Sequence, residues 1–509
     1  MQIPRNPDAF MPFCTHRRHE DGVGRLNATP LHGPRLLPQD PDGDRPMAYK
    51  TVNPFTNETI ATFPDLTDTE LAQKLDRAQA TYREWSKLPF AKRAAIVGKA
   101  ADLLRTQKDK YARLLTLEMG KLYRESLAEV ELSADILQYY ADNAETFLAP
   151  QKLKEKSGRG DQAMVVSQPL GILFAIEPWN FPYYQLARVV GPQFMAGNVV
   201  VVKHASNVPQ AAAAFEQLFR DAGAPEGLYT NLYATRDQLG KIIADDRVIG
   251  VALTGSEGAG AIVASQAGKA LKKTTMELGG SDAFIVLEDA DLEKSVKWAV
   301  WGRMNNGGQC CVAAKRIIVA DPIADAFLDR FATELGKLVP GDPMDEKSGV
   351  PPLSSQGAAD QLNEQVELAV KNGAKVMRVG PTPPNRGAFV QTSILTDITP
   401  DNPVFHQELF GPVAMFFRVR DEAEAIALAN DNPYGLGGSV FTSDTARGIR
   451  VAEQIETGMV YVNHPTWTTS DLPFGGVKRS GFGRELSSMG IQEFVNKKLI
   501  DVVPIDAGP

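Results

Sequence analysis

Residues 172–202 read ILFAIEPWNFPYYQLARVVGPQFMAGNVVVV: an apolar run, a turn around Pro-Trp-Asn-Phe-Pro, a helical stretch, and a second run of valines. The pattern recurs. Short strand-like runs occupy Ile172 to Ile176, Val199 to Val202 and Val251 to Leu253, each followed by a turn and a helical stretch such as Pro209 to Asp221 or Ala259 to Lys273. Strands alternating with helices imply a parallel sheet with crossovers, so the fold class is α/β. After Gly279 the alternation restarts with DAFIVL (282–287), a helix over 291–304, RIIVA (316–320), a helix over 322–338 and GAKVMRVG (373–380), which predicts a second α/β unit. Upstream, Thr67-Asp-Thr-Glu70 is a capping box. Leu71, Leu75, Ala78, Tyr82 and Trp85 follow it at helical spacing, and further helical segments run to about Phe147. Residues 149–167, APQKLKEKSGRGDQAMVVS, interrupt that pattern with polar residues around a Gly-Arg-Gly turn and read as an extended hairpin. No period of 20 to 50 residues recurs, which argues against a repeat architecture.

At 509 residues, with 43% apolar and 23% charged positions, the chain is too long for one core, and two or three domains are expected. No apolar run approaches the roughly 18 residues of a membrane span, and a net charge of -8 offers no basic footprint for nucleic acid. The three cysteines make no disulfide framework and point to a reducing compartment, the cytoplasm being the simplest. The six histidines show no metal-ligand spacing with Cys310 and Cys311, so no metal is expected. Residues 1–46 carry six arginines and six acidic residues among many prolines and glycines, without apolar periodicity or a continuous signal core. They read as a disordered extension, or as sequence upstream of a start at Met47.

Four short stretches could carry chemistry. In MNNGGQCCV (304–312), Gly307-Gly308-Gln309 before two adjacent cysteines suggests a close backbone approach to a ligand. Cys311 taken alone reads as a small buried hydrophobe, and a vicinal disulfide would be strained. In IEPWNFPYYQ (176–185), Asn180 sits among large apolar groups, where an amide must satisfy a neighbouring backbone or serve a substrate. In TTMELGGSDAF (274–284), Glu277 ends a strand; it could bind loop amides, or act as a general base if burial raises its pKa. In ALTGSEGAG (252–260), a strand, a Gly-rich turn and a helix start present backbone N–H groups suited to phosphate, although glycine there could serve the turn alone.

Taken together, PWNFP, TGSxxxG, ELGG, GQxC and QELFGPV (407–413) occur in the order and spacing of the aldehyde dehydrogenase superfamily, which the chain resembles from about residue 48 to 505. The resemblance implies a Rossmann-type dinucleotide-binding domain (47–148 and 168–278), an α/β catalytic domain (279–487) and a small β oligomerisation arm (149–167 and 488–505). It makes Cys311 the nucleophile, with Cys310 as a packing neighbour, Asn180 the oxyanion-hole amide and Glu277 the general base. Trp179, Lys203, Ser206, Gly255, Ser256, Glu408 and Phe410 fall at cofactor positions. Ser206 stands where a glutamate would hold the ribose hydroxyls, so with Lys203 it can accept a 2′-phosphate. The expected cofactor is therefore NADP or NAD.

KHASNVPQ (203–210) and LPFGGVKRSGFGRELSSMGIQEF (472–494) look like the succinate-semialdehyde dehydrogenase branch. Arg188 matches one of two arginines that hold the substrate carboxylate there, and Asn305 replaces the other. Ser470, Thr469 or Arg303 could compensate, although Arg303 could equally be a helix-surface charge. The implied reaction is aldehyde oxidation through a cysteine thiohemiacetal and thioester, in a homodimer or homotetramer. Trp467 near the expected mouth leaves other aliphatic or aromatic aldehydes open as substrates. A catalytically idle binding or structural relative and a cofactor-free cysteine hydrolase are the competing classes; the latter lacks a histidine placed to partner Cys311.

Overall fold

The structure, a computed structural model, describes residues 48–153 and 163–506. The expected 1–46 extension and the middle of the 149–167 hairpin lie outside the described residues.

Two parallel-rich sheets organise the chain, as the alternation predicts. The first has six strands, in spatial order Gly481–Phe482, Lys273–Glu277, Val248–Thr254, Ile172–Glu177, Val199–His204 and Tyr229–Asn231. All pair parallel except Gly481–Phe482, which runs antiparallel along the Lys273–Glu277 edge. The central strands read as continuous apolar runs because helices cover both faces: Ile172 to Ala175 and Val199 to Val202 are all fully buried. Strand order reverses on either side of Ile172–Glu177, which makes the carboxyl ends of this sheet the natural ligand edge.

The second sheet has seven strands, ordered Lys375–Arg378, Ser393–Thr396, Val413–Val419, Ala314–Ala320, Asp282–Val286, Gly438–Phe441 and Tyr461–Val462, and only the Lys375–Arg378 edge is antiparallel. A third, antiparallel sheet joins Gln151–Lys152, Met164–Pro169 and Val495–Ile500, uniting the expected arm segments. One expected boundary is not respected. Gly481–Phe482, assigned by sequence order to the 279–487 unit, leaves it and pairs with Met276 and Glu277, because backbone pairing along an open edge takes no account of sequence distance.

Local signals hold. Thr67 caps the helix Asp68–Trp85 with both capping-box hydrogen bonds, and Leu71, Leu75, Ala78 and Trp85 are its buried face. Among the described residues no helix is long and apolar enough to cross a membrane.

Candidate active site

The loop after the helix Leu292–Met304 explains its own sequence. Asn306, Gly307 and Gly308 take left-handed backbone angles in succession (φ 56°, 63° and 77°), a region that only glycine and asparagine enter readily. A side chain on Gly308 would also stand 2.5 Å from the Gly411 carbonyl oxygen. The bend is held on three sides. The Asn306 side chain donates to the carbonyls of Asn180 (2.8 Å) and Gln309 (3.1 Å), the Asn306 N–H donates to Glu125 (3.1 Å), and Gln309 Oε1 accepts the Ser354 N–H at 2.8 Å.

Arg303 is the fourth tie, and this corrects its candidacy as a substrate arginine. Fully buried, it donates to the carbonyls of Gly308, Leu409 and Gly411, clamping the cysteine loop to the Glu408 loop. Its neighbours along the chain are loop and helix residues, so sequence position alone did not reveal what it binds.

This loop presents Cys311 partly exposed while Cys310 is only 7% exposed, and both are free thiols. The two thiols hydrogen-bond each other. The bond from Cys311, with the Lys315 cation assisting, lowers the Cys310 thiol pKa, whereas the bond to Cys310 and then burial push the Cys311 thiol up, Lys315 opposing. Asn180 stands between the Ile172–Glu177 strand and the helix Pro182–Ala196. Its Nδ2 donates to the Gln309 carbonyl at 3.1 Å, and its amide meets that of Gln185 at 2.8 Å. The Tyr183 and Tyr184 N–H groups at the start of that helix are accepted by Glu129 (2.9 and 3.2 Å), itself ion-paired with buried Lys121. Phe181 at the N-cap offers no side-chain acceptor, so a distant helix supplies the cap.

Glu277 ends its strand 2% exposed, and neither carboxylate oxygen has a hydrogen-bond partner among the described residues. Burial, and then the neighbouring Glu485 carboxylate, push its pKa well above the usual carboxylate range, while Arg188 pulls the other way. The Glu277 and cysteine segments are in close contact: a side chain on Gly280 would stand 2.5 Å from the Cys311 carbonyl oxygen.

Arg188 departs from the expected open carboxylate clamp. It is 1% exposed, lies against the rings of Tyr184 and Phe474, is ion-paired with Glu485, and donates to the Tyr184 hydroxyl (3.1 Å) and Thr254 Oγ1 (2.9 Å). A guanidinium buried this deeply needs such partners, and Glu485, far along the chain, is the one the sequence did not disclose. Ser470 and Thr469 lie half-buried on a loop whose Thr468 hydroxyl bonds the Tyr184 hydroxyl; Thr469 is engaged with Asp471 at 2.6 Å. Trp467 packs 5.1 Å from Trp301, between ring centroids, on the same loop.

The expected cofactor residues divide into two groups. Glu408 accepts the Gly280 N–H (3.1 Å) and pairs with Lys315 (3.0 Å), and Trp179 meets Phe410 edge to face at 5.8 Å, all beside the cysteine loop. Lys203, Ser206, Gly255 and Ser256 stand instead at the carboxyl ends of the first sheet. Ser256 caps the helix Glu257–Lys269 by accepting the Ala259 N–H, and the Gly255 N–H donates to the Glu277 carbonyl at 3.0 Å.

Lys315 was missed in the sequence, where it is one polar residue in the strand AKRIIVA; a lysine on a fully buried strand is the only available signal. It is 0% exposed and donates to the carbonyls of Cys310 (2.7 Å) and Cys311 (2.8 Å). Lys315→Met is expected to cost up to about 3 kcal/mol in thermal unfolding by stranding Glu408. It should also move the pH midpoint of iodoacetamide labelling upward, since the cation favours the thiolate; an unmoved midpoint would remove Lys315 from the thiol's environment.

The cysteine loop, the Asn180 amide and the segment that follows Glu277, whose carboxyl has no hydrogen-bond partner among the described residues, are thus packed together, a set of groups suited to addition to a carbonyl followed by hydrolysis. The family model described as "Aldehyde dehydrogenase family" matches residues 42–500. A succinate-semialdehyde dehydrogenase [NADP(+)] from Deinococcus radiodurans is 52% identical over 466 residues, 92% of this chain and 97% of that protein. A probable succinate-semialdehyde dehydrogenase [NADP(+)] from Synechocystis is 44% identical over 89% of this chain and 99% of its own. The crystal structure of a succinic semialdehyde dehydrogenase from Streptococcus pyogenes in complex with NADP+ is 46% identical, with a TM-score of 0.88 over 90% of this chain and all of that one.

Proposed function

The chain belongs to the aldehyde dehydrogenase family, and from that premise we propose that it oxidises succinate semialdehyde to succinate with NADP+, through a thioester on Cys311. The observation that carries the reading is the packing of the segment after Glu277 against the partly exposed Cys311, with the Glu277 carboxyl buried and without a hydrogen-bond partner among the described residues. Relatives bearing the name succinate-semialdehyde dehydrogenase [NADP(+)] over nearly the whole chain support the substrate and the cofactor.

The residues fit the dinucleotide. A side chain on Gly279 would stand 2.6 Å from Glu408 Oε2, so glycine keeps that cradle open, and among the described residues Lys203 has no carboxylate bonded to its ammonium. Lys203 and Ser206 would hold the adenine-ribose end, Gly255 and Ser256 the pyrophosphate, and Glu408, Phe410 and Trp179 the nicotinamide end. The chemistry that bound NADP+ supplies is acceptance of a hydride.

The chain's own residues do the rest. The Cys311 sulfur adds to the aldehyde carbon, and the Asn180 side-chain N–H donates to the oxygen that becomes an alkoxide. Removing such a donor typically costs about 10² to 10³ in rate. Once the carbon is oxidised to the thioester level, Glu277 takes a proton from water as that water attacks the acyl carbon, and the carboxylic acid leaves as sulfur departs. For the substrate carboxylate, the Tyr184 hydroxyl, polarised by Arg188 and bonded by Thr468, stands with Ser470 as the recognition group. In this reading Arg188 acts through Tyr184 rather than by direct contact.

The arm leaves Leu499, Ile500, Val502 and Val503 exposed, which supports association of copies into a homodimer or homotetramer. The free thiols of Cys310 and Cys311 suit a reducing, cytoplasmic setting.

Following absorbance of reduced cofactor across a panel of aliphatic, carboxylated and aromatic aldehydes, with NADP+ and NAD+ in parallel, tests this function. The expected result is the highest kcat/KM for succinate semialdehyde with NADP+. Equal or better turnover of an uncharged aldehyde would overturn the substrate, and no turnover of any aldehyde would overturn the activity.

A further inference from the structure

The Val199–His204 and Tyr229–Asn231 strands are hydrogen-bonded neighbours, with Val202 opposite Asn231, so Lys203–Ser206 and the turn Ala234–Arg236 emerge side by side at the carboxyl edge. The strand Tyr49–Val52 clasps both segments. The Lys50 N–H donates to the Ser206 carbonyl at 3.0 Å, the Tyr49 hydroxyl donates to the Ala234 carbonyl at 2.8 Å, and the Tyr49 ring lies 5.3 Å from the Lys203 ammonium. Arg236 is anchored as the first residue of the helix Arg236–Ala244, behind Thr235, which caps that helix in a second capping box.

This corner holds two cations and little to neutralise them. The Lys203 ammonium donates to the His204 carbonyl at 3.2 Å, and Arg236, exposed, has no ion pair or hydrogen bond among the described residues. Burial, and next the Arg236 charge, lower the Lys203 pKa to about 8, with Asp65 opposing. Like charges held in each other's field favour the arrival of an anion. In a doubly wound sheet, this strand end, beside the central strand, is where an acidic residue holds ribose hydroxyls. Here an exposed Ser206 and the two cations stand in its place.

We propose that Arg236 is a cofactor-specificity residue, the second cation of a cradle in which Lys203, Ser206 and Arg236 grip the 2′-phosphate of the dinucleotide. The assignment rests on the NADP+ reading above. A planar guanidinium reaching in from a fixed helix start supplies the paired donors that the single Lys203 ammonium lacks.

Calorimetric titration of the full chain with adenosine 2′,5′-bisphosphate and, separately, with AMP tests the assignment in wild type, Arg236→Ala and Arg236→Lys. In Arg236→Ala the bisphosphate should bind about tenfold or more weaker, with AMP affected far less and Arg236→Lys recovering part of the loss. The ratio of KM values for NADP+ and NAD+ should rise in parallel. If wild type binds both probes alike, the NADP+ reading itself fails. If wild type prefers the bisphosphate and Arg236→Ala keeps that preference, or weakens both probes equally, the Arg236 assignment alone is overturned.

Discussion

Replacing Cys311 by alanine is expected to lower turnover by about 10⁴-fold or more, because in the proposed reaction Cys311 forms the covalent adduct and the neighbouring Cys310 thiol is buried, whereas Cys310→Ser should stay within about tenfold of wild type. The contrast follows from the loop. The left-handed run Asn306-Gly307-Gly308 turns the chain so that Cys311 is partly exposed and Cys310 is buried at 7% exposure. Cys310→Ser removes the neighbouring thiol whose bond holds the Cys311 thiol pKa up, so Cys311 is not weakened as a nucleophile. Steady-state formation of reduced cofactor, with mass spectrometry for acyl-protein, reads both variants. An active Cys311→Ala beside an inactive Cys310→Ser would reverse the assignment.

Glu277→Gln should lower steady-state turnover by about 10² to 10⁴ while leaving a first burst of cofactor reduction, since in the proposed reaction the glutamine removes the base for hydrolysis but not the nucleophile. The pH dependence follows from burial. A carboxyl whose pKa is raised stays protonated, and idle as a base, over a wider range, so hydrolysis should climb as pH rises through that raised pKa and level off above it. In the variant the ascending limb should disappear and acyl-enzyme should accumulate. A variant that loses the burst and steady state together would place Glu277 before the thioester rather than after it. Its structural partners predict the same separation of steps: Glu277 is linked through charge to Arg188 and Glu485, whereas the cysteine loop is held by Arg303, Asn306 and Lys315.

Several residues now carrying the argument were legible from the chain alone, and others were not. Glu277 before Gly279-Gly280, Asn180 in PWNFP and the second cysteine of GQCC stand out because each is a chemically active group at the end of a recognisable element. The resemblance makes Arg188 a substrate contact, with Arg303 a possible replacement for the arginine absent at Asn305. Both prove to be committed internally, one to Glu485, Thr254 and Tyr184, the other to three backbone carbonyls. Lys315, Glu125 and Glu129 drew no attention at all, since nothing in their local sequence marks them as ligands of the cysteine loop or of the helix that follows Asn180.

Apolar period, turn residues and caps are properties of neighbours along the chain, and they alone determined the α/β class, the restart after Gly279, the capped helix at Thr67 and the order of the chemical motifs. What a charge pairs with, whether a thiol faces solvent, and which edge the Gly481–Phe482 strand closes depend on groups tens to hundreds of residues apart. Those were decided only by tertiary structure, because a buried charge or backbone group takes whichever partner the packed chain brings within hydrogen-bonding distance.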